Sequence, residues 1–179
     1  MRVTTSDGPV PARDPTHYCV GLDLGQAADY SALVIAQRVG GDYHVRRVER
    51  LMLNTPYPDV VRHVSGVMGL PALAAADAQA WLVVDAMGVG MPAVDMLREA
   101  GLNPIPVKVH GGAESTRDER TGAYHVPKRD LVTVTRTLLE SRTLKIAFDT
   151  PHVDALQREL LSYRLKYGAS GHDSYEAWR

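Results

Sequence analysis

The chain of 179 residues contains one cysteine, has a formal net charge of -1, and lacks any apolar segment long enough to span a membrane. The single thiol, Cys19, excludes a disulfide framework, and its place inside an apolar run predicts a buried structural residue. The near-neutral charge gives no whole-protein argument for nucleic-acid binding, although it does not exclude a local basic patch. These features predict one soluble globular domain in a reducing cytosol.

The motifs of several enzyme classes are also missing. No G-x-x-x-x-G-K-[ST] occurs, which excludes a P-loop ATPase at the level of the motif, and there is neither a G-x-S-x-G nor a pair of metal-spaced cysteines. Residues 1–16 are polar and proline-rich without the apolar core of a signal peptide, so we expect a flexible leader there. The folded domain is expected over residues 17–179.

Hydrophobic periodicity predicts an α/β fold with a mixed sheet flanked by helices. Three antiparallel strands are predicted over residues 17–22, 30–39 and 43–53, and later strands over 81–84, 105–109 and 144–147. Helices are predicted to begin at 55–58, near 72–78 and at 92, and to cover 128–141 and 152–167, while 111–122 is predicted as a loop. In this order the first and fourth strands are neighbours. The apolar face of the 128–141 helix, with Leu131, Val134, Thr135, Leu138 and Leu139, is expected to point inward.

Two apolar strands end in an aspartate followed by glycines, in GLDLG at Asp23 and in VVDAMGVG at Asp85. An aspartate at the end of a core strand is costly unless it is hydrogen-bonded or bound to a cation, and two on adjacent strands repel each other. A divalent metal such as Mg²⁺, which prefers hard oxygen ligands, compensates both effects. One such aspartate alone is more often a cap or turn residue, so the repeated pattern carries the interpretation. Asp29, across the predicted hairpin tip, is either an auxiliary carboxylate of the same site or a turn residue.

Two further motifs are weaker. The stretch GVGMPA over 88–93 matches the dinucleotide fingerprint, but no acidic residue follows at the expected distance of about twenty residues, so we interpret its glycines as a tight turn. The stretch YHVPKRD is predicted to place His125, Lys128 and Arg129 at the start of a helix. Basic side chains and free backbone N–H groups there suit a phosphate contact; a solvated helix start is the alternative.

Four stretches together, VGLDLGQAADYSALVIAQ, LVVDAMGVGMPAVDMLREAG, YHVPKRDLV and GHDSYEAWR, resemble the nuclease domain of the tailed-phage terminase large subunit. That family belongs to the ribonuclease H-like superfamily, and the resemblance extends from about residue 17 to the C-terminus. It implies a nuclease that uses two Mg²⁺ or Mn²⁺ ions to cut concatemeric phage DNA during packaging. It further implies that Asp23 and Asp85 are the catalytic metal ligands and that Asp29 is an additional acidic residue of the site.

The same resemblance implies double-stranded DNA as the partner, with a terminase small subunit, a portal or a separate ATPase motor as further possible partners, and no membrane. It implies a phage- or prophage-encoded protein in the cytoplasm of a bacterial host.

The sequence departs from the family pattern in two ways. The motor half with its P-loop is absent, and the family's later aspartate, commonly in an HDD stretch that opens a C-terminal helix, has no counterpart before Arg179. We therefore expect a domain truncated before its last helix, with the third metal ligand outside this chain. Two other functions stay open: a catalytically incomplete prophage domain that binds DNA or a partner, and an actin-like or sugar-kinase-like nucleotide-binding protein, whose phosphate loops also have the form D-x-G after a strand.

Overall fold

The structure is a computed structural model that describes residues 15–25, 29–88, 90–167 and 173–177. Its strands are β1 (Thr16–Asp23), β2 (Ala32–Val39), β3 (Asp42–Arg50), β4 (Ala78–Asp85), β5 (Pro104–His110), β6 (Thr116–Arg117), β7 (Tyr124–Pro127), β8 (Leu144–Ile146), β9 (Tyr163–Tyr167) and β10 (Asp173–Ala177). Its helices are α1 (Tyr57–Met68), α2 (Pro71–Ala74), α3 (Gly90–Glu99), α4 (Lys128–Glu140) and α5 (Val153–Ser162). Residues 1–14 of the leader expected over 1–16 lie outside the described residues, and their flexibility stays a prediction. Thr16 already belongs to β1.

Eight strands form one mixed sheet in the order β6-β7-β5-β4-β1-β2-β3-β8. The first three strands along the chain are antiparallel neighbours, and β4, β5 and β7 then continue the sheet in parallel from β1. This arrangement confirms the predicted α/β fold and the predicted contact between the first and fourth strands. It is also the arrangement of the ribonuclease H-like fold.

One face of the sheet, here called the core face, carries the hydrophobic core. Its buried side chains on the central strands are Val20, Leu22, Leu33, Ile35, Leu82 and Val84. Helices α1 and α3 cover this face, since their buried residues belong to the same core cluster as these strand residues. In α1 they recur at helical spacing, as at Val60, Val64 and Val67. Successive residues of a strand alternate between faces, so the residues between these core positions point to the opposite face, here called the cleft face.

The last predicted helix is too long. Helix α5 ends at Ser162, and residues 163–167 form β9, which pairs antiparallel with β10. The sequence YRLKY alternates large and basic residues with a period of two, which favours a strand over a helical turn. The C-terminal stretch, after which we expected the domain to be truncated, contains the strand β10 at Asp173–Ala177.

The expected burial of the α4 apolar face is wrong. No residue of α4 is buried, and Leu131, Val134 and Leu139 are 43, 58 and 41% exposed. Periodicity predicts which side of a helix is apolar but not whether another element covers it. In the described part of the chain, no helix is long and apolar enough to cross a bilayer.

Cys19 is exposed, and the prediction of a buried thiol is wrong. Its neighbour Val20 occupies the core face, so the alternation of β1 turns Cys19 to the other side. A second correction concerns the stretch before α4. Residues 124–127 form strand β7 and not the beginning of the helix, which places His125 on a strand.

Candidate functional site

The strand register brings Asp23 and Asp85 together. The register between the parallel strands β1 and β4 ends with Leu22 beside Val84. Asp23 directly follows Leu22, and Asp85 directly follows Val84. Since Leu22 and Val84 are buried on the core face, both aspartates alternate to the cleft face. They therefore end neighbouring strands at the same edge of the sheet and on the same side.

A cleft of about 580 Å³ opens at this edge. All three carboxylates that the sequence singled out for a metal site, Asp23, Asp29 and Asp85, line it. Asp85 is held in place because its Oδ1 accepts a hydrogen bond of 2.8 Å from the backbone N–H of Met87. The cleft is thus acidic, open to solvent, and built largely from the ends of core strands.

Two glycines let the backbone close around this cleft. A Cβ on Gly90 would lie 2.4 Å from the carbonyl oxygen of Asp85, and one on Gly25 would lie 2.2 Å from that of Asp29. Only a residue without a side chain permits these approaches. The Gly25 N–H also donates to Ser31 Oγ at 3.1 Å, which ties the end of β1 to the start of β2. The glycines of VVDAMGVG thus serve close backbone packing at Asp85, in agreement with the tight-turn interpretation.

The charges in the cleft act on one another. Burial raises the pKa of the Asp23 carboxyl, the negative charge of Asp85 raises it further, a hydrogen bond from the Leu24 backbone partly lowers it, and Asp29 adds a smaller increase. The ionised form of Asp23 is therefore disfavoured in the absence of a cation. A bound cation would remove this penalty by supplying the opposite charge.

The donor set fits a hard divalent cation held partly by water. Among the described residues, no three His, Cys, Asp or Glu side chains are grouped closely enough to enclose a metal by themselves. Mg²⁺ is usually bound through one or two carboxylates while it keeps several waters and takes oxygens from substrate phosphates. Asp23 and Asp85 supply that number of carboxylates, so the site suits a metal that a substrate completes.

No family model matches the chain, and no curated protein matches its sequence. Among solved structures, the large terminase nuclease from the thermophilic phage G20c with bound magnesium aligns over 93% of this chain and 75% of its own, with 23% identity and a TM-score of 0.65. The chain has the fold of a terminase nuclease domain. The large terminase of a second thermophilic bacteriophage also matches, at 14% identity and a TM-score of 0.65, and this chain covers 37% of its length.

A terminase nuclease domain of lower sequence identity also matches the chain. The human cytomegalovirus terminase nuclease domain, described as Mn soaked and inhibitor bound, covers 90% of this chain at 11% identity with a TM-score of 0.55. At these identities the similarity shows the fold and not the activity.

Two residues of the cleft were missed by sequence reasoning. Arg50, the last residue of β3, and Glu159 of α5 both line it, and Arg50 Nη2 lies 2.5 Å from Glu159 Oε1. The Arg50 guanidinium also lies over the ring of Tyr30, 5.6 Å from its centroid. Glu159 gave no sequence signal because it reaches the site only through the packing of a distant helix. The third metal ligand that we expected outside the chain stays a prediction. Glu159 is the acidic residue that α5 contributes to the cleft of this terminase nuclease fold.

The residues predicted to contact phosphate do not line this cleft. Lys108 pairs with His125 on β5 and β7, which puts His125 on the core-face side, opposite to Asp85. His125 instead lines a separate shallow cleft with His110. Arg129 donates to the carbonyl oxygen of Ala113 at 2.7 Å and thereby holds the preceding loop.

Lys128, the third residue of this set, begins α4. A role for these three residues in phosphate binding stays a prediction.

Proposed function

We propose that this chain is a metal-dependent endonuclease domain that cleaves double-stranded DNA. The observation that carries the proposal is the position of Asp23 and Asp85 at the ends of neighbouring parallel strands, where both line one acidic cleft. The shared fold supports it, because one similar terminase nuclease is described with bound magnesium and another as Mn soaked. Fold alone does not establish function, so the proposal depends on the site.

Asp23 and Asp85 would hold the metal, which we propose to be Mg²⁺ or Mn²⁺ and, as the family resemblance implies, two ions. Such ions supply Lewis-acid activation of water and neutralise charge on the leaving oxygen of a phosphodiester. Asp29 adds negative charge at the same cleft and thereby strengthens the attraction for cations. Asp85 is preoriented by its hydrogen bond from Met87, so binding does not have to order it.

The acidic cleft makes cations a condition for substrate binding as well as for chemistry. Three aspartates and Glu159 line it, against the single basic residue Arg50 among the described lining residues. A DNA phosphate that approaches this cleft without a cation meets like charge, which is unfavourable at short range. Divalent cations therefore bring the substrate and the carboxylates together.

The biological setting that we propose follows from the resemblance. The substrate would be concatemeric phage DNA during packaging, in the cytoplasm of a bacterial host. Translocation would require a separate ATPase motor, and a terminase small subunit or a portal would be further partners. Cutting and motor activity would then belong to different polypeptides or different domains.

A direct experiment incubates the protein with supercoiled plasmid in Mg²⁺, in Mn²⁺ and in EDTA. Nicked and linear products should form with either metal and disappear with the chelator. Binding of ATP with Mg²⁺, measured in parallel without DNA, tests the nucleotide-binding alternative. Tight ATP binding without any DNA binding or cleavage would contradict the nuclease.

A second candidate function is DNA binding without cleavage. It is favoured by the finding that the described residues include no group of three close metal donors. In that case the protein would retain labelled duplex in a gel-shift assay and leave plasmid intact in every metal tested. The same two assays therefore separate the two functions.

A further inference from the structure

Strand register places an arginine in line with the two aspartates on one side of the cleft. Arg50 of β3 pairs directly with Ala32 of β2, and Ala32 pairs directly with Asp23 of β1. Directly paired residues project from the same face of a sheet. Arg50 therefore lies on the cleft face, two strands from Asp23, at a backbone separation of roughly 10 Å for strands about 4.8 Å apart.

A second arginine lies on the other side of the two aspartates, on the same face of the sheet but outside the residues that line the cleft. Asp85 pairs with Val107 of β5, Val107 with Tyr124 of β7, and Tyr124 with Arg117 of β6. Arg117 therefore also lies on the cleft face, three strands from Asp85, at a backbone separation of roughly 14 Å. The two arginines and two aspartates form one row across the sheet, here called the arginine row, with the acidic pair between the basic ends.

Each arginine of the row has its guanidinium over the ring of a tyrosine. The Arg50 guanidinium lies 5.6 Å from the centroid of Tyr30, and the Arg117 guanidinium lies 5.2 Å from that of Tyr124. Both rings are partly exposed, Tyr30 at 46% and Tyr124 at 40%. An aromatic ring orients the planar guanidinium and leaves its edge N–H groups available to an anion. The same arrangement at both ends of the row indicates two prepared sites for anionic groups.

We propose that the phosphate backbone of duplex DNA lies along the arginine row, with Arg50 and Arg117 bound to phosphates on opposite sides of the one over Asp23 and Asp85. This inference rests on the proposed function and adds the path of the substrate. Duplex DNA carries one negative charge per about 1.7 Å of its axis, so phosphates are available at both separations. Guanidinium groups bind phosphate through paired N–H donors, which fixes position as well as charge.

Glu159 gives the Arg50 site an internal competitor. Its carboxylate lies 2.5 Å from Arg50 Nη2, so a phosphate must replace it at the guanidinium. Removing the Glu159 charge should therefore make Arg50 more available to DNA, whereas removing Arg50 should weaken DNA binding. A purely structural ion pair predicts the same direction for both changes, because either one breaks it.

The first test measures the affinity for a fluorescein-labelled duplex by anisotropy in Ca²⁺, over a series of salt concentrations. Arg117→Ala should weaken binding by about tenfold and reduce the slope of log affinity against log salt by about one. Arg117→Lys should retain the slope because it retains the charge. The matched control is Arg62→Ala. Arg62 is an exposed arginine with an ion pair to Asp59, and it belongs to α1, which lies on the opposite side of the sheet from the cleft.

The second test compares Arg50→Ala with Glu159→Gln in the same assay. Arg50→Ala should lower the affinity and the salt slope, and Glu159→Gln should raise the affinity. Thermal melting of every variant checks that the fold is retained. A loss of affinity in Glu159→Gln at unchanged melting temperature would overturn the role of Arg50.

Failure of the arginine row and failure of the proposed nuclease give different results in these assays. If the wild-type protein binds and nicks DNA but Arg117→Ala and Arg50→Ala behave like Arg62→Ala, the arginine row is wrong and the nuclease stands. If the wild-type protein neither binds nor nicks DNA, the proposed function fails and the row fails with it.

Discussion

Asp85 lies beside Asp23, one residue beyond the Leu22–Val84 pair of two parallel strands, and its charge raises the pKa of the Asp23 carboxyl that burial has already raised. The fold thus places a second carboxylate where its charge disfavours the ionised form of Asp23. Such an arrangement is costly to the metal-free protein and favourable to a cation complex. Stability, metal binding and pH are therefore linked at this pair.

Asp23→Asn should stabilise the metal-free protein at neutral pH. Because its folded-state pKa is raised above the ordinary value of 3.8, the contribution of Asp23 to stability is fully present below that value and is lost as the pH rises through the folded pKa. The asparagine variant has no such loss. Thermal melting in EDTA should give a higher melting temperature for the variant at pH 7 and convergence of the two proteins toward pH 3.

Mg²⁺ or Mn²⁺ should stabilise the wild-type protein and leave Asp23→Asn nearly unchanged. A ligand that binds only the folded state raises its stability in proportion to the logarithm of ligand concentration over Kd. Melting temperature measured against metal concentration reports this. Asp95→Asn, at an exposed aspartate of α3 paired with Arg98, is the matched control and should respond like the wild type. Equal metal responses in all three proteins would place the metal elsewhere.

Gly90→Ala and Gly66→Ala should change stability in opposite directions. The new Cβ at position 90 would lie 2.4 Å from the Asp85 carbonyl, which forces the backbone apart and should cost about 1–3 kcal/mol. At position 66, inside α1, a Cβ meets nothing within 4 Å, and the better helix propensity of alanine should add about 0.5–1 kcal/mol. Urea denaturation measures both; a neutral Gly90→Ala would contradict the close approach at the cleft.

Glu49→Gln should destabilise the protein at neutral pH by about 1 kcal/mol, with a smaller effect in acid. Burial opposes ionisation of Glu49, but hydrogen bonds from His63 and Arg47 outweigh it and lower its pKa below 4.5. This contribution is present above 4.5 and is lost as the pH falls through the folded pKa. Urea denaturation at pH 7 and pH 3 tests the difference, since a variant equally destabilised at both pH values would exclude an ionic cause.

The sequence was informative where one short-range pattern decides the structure. The apolar runs before Asp23 and Asp85 predicted two core strands, and the aspartate after each run predicted the strand ends, because a buried strand seldom continues through an unpaired charge. The order of elements then predicted that these strands are neighbours. These steps need no knowledge of distant contacts.

The rest of the site depends on packing that a linear pattern does not encode. Arg50 and Glu159 are 109 positions apart and meet only because the fold brings the Glu159 side chain of α5 to the end of β3. The face of His125 depended on a four-residue strand that directly precedes a helix, where boundaries are hard to assign. The apolar side of α4 was predicted correctly as a pattern, but its exposure depends on the elements around it.

The most direct test of the central claim is the rate of plasmid nicking in Mn²⁺ by the wild-type protein, Asp23→Asn, Asp85→Asn and the control Asp95→Asn. We expect the wild type and the control to nick the plasmid, and we expect a loss of at least about a hundredfold in each site variant because each removes a carboxylate that holds the metal. Nicking that survives both Asp23→Asn and Asp85→Asn, in samples with unchanged folding, would contradict the assignment of this cleft as the nuclease site.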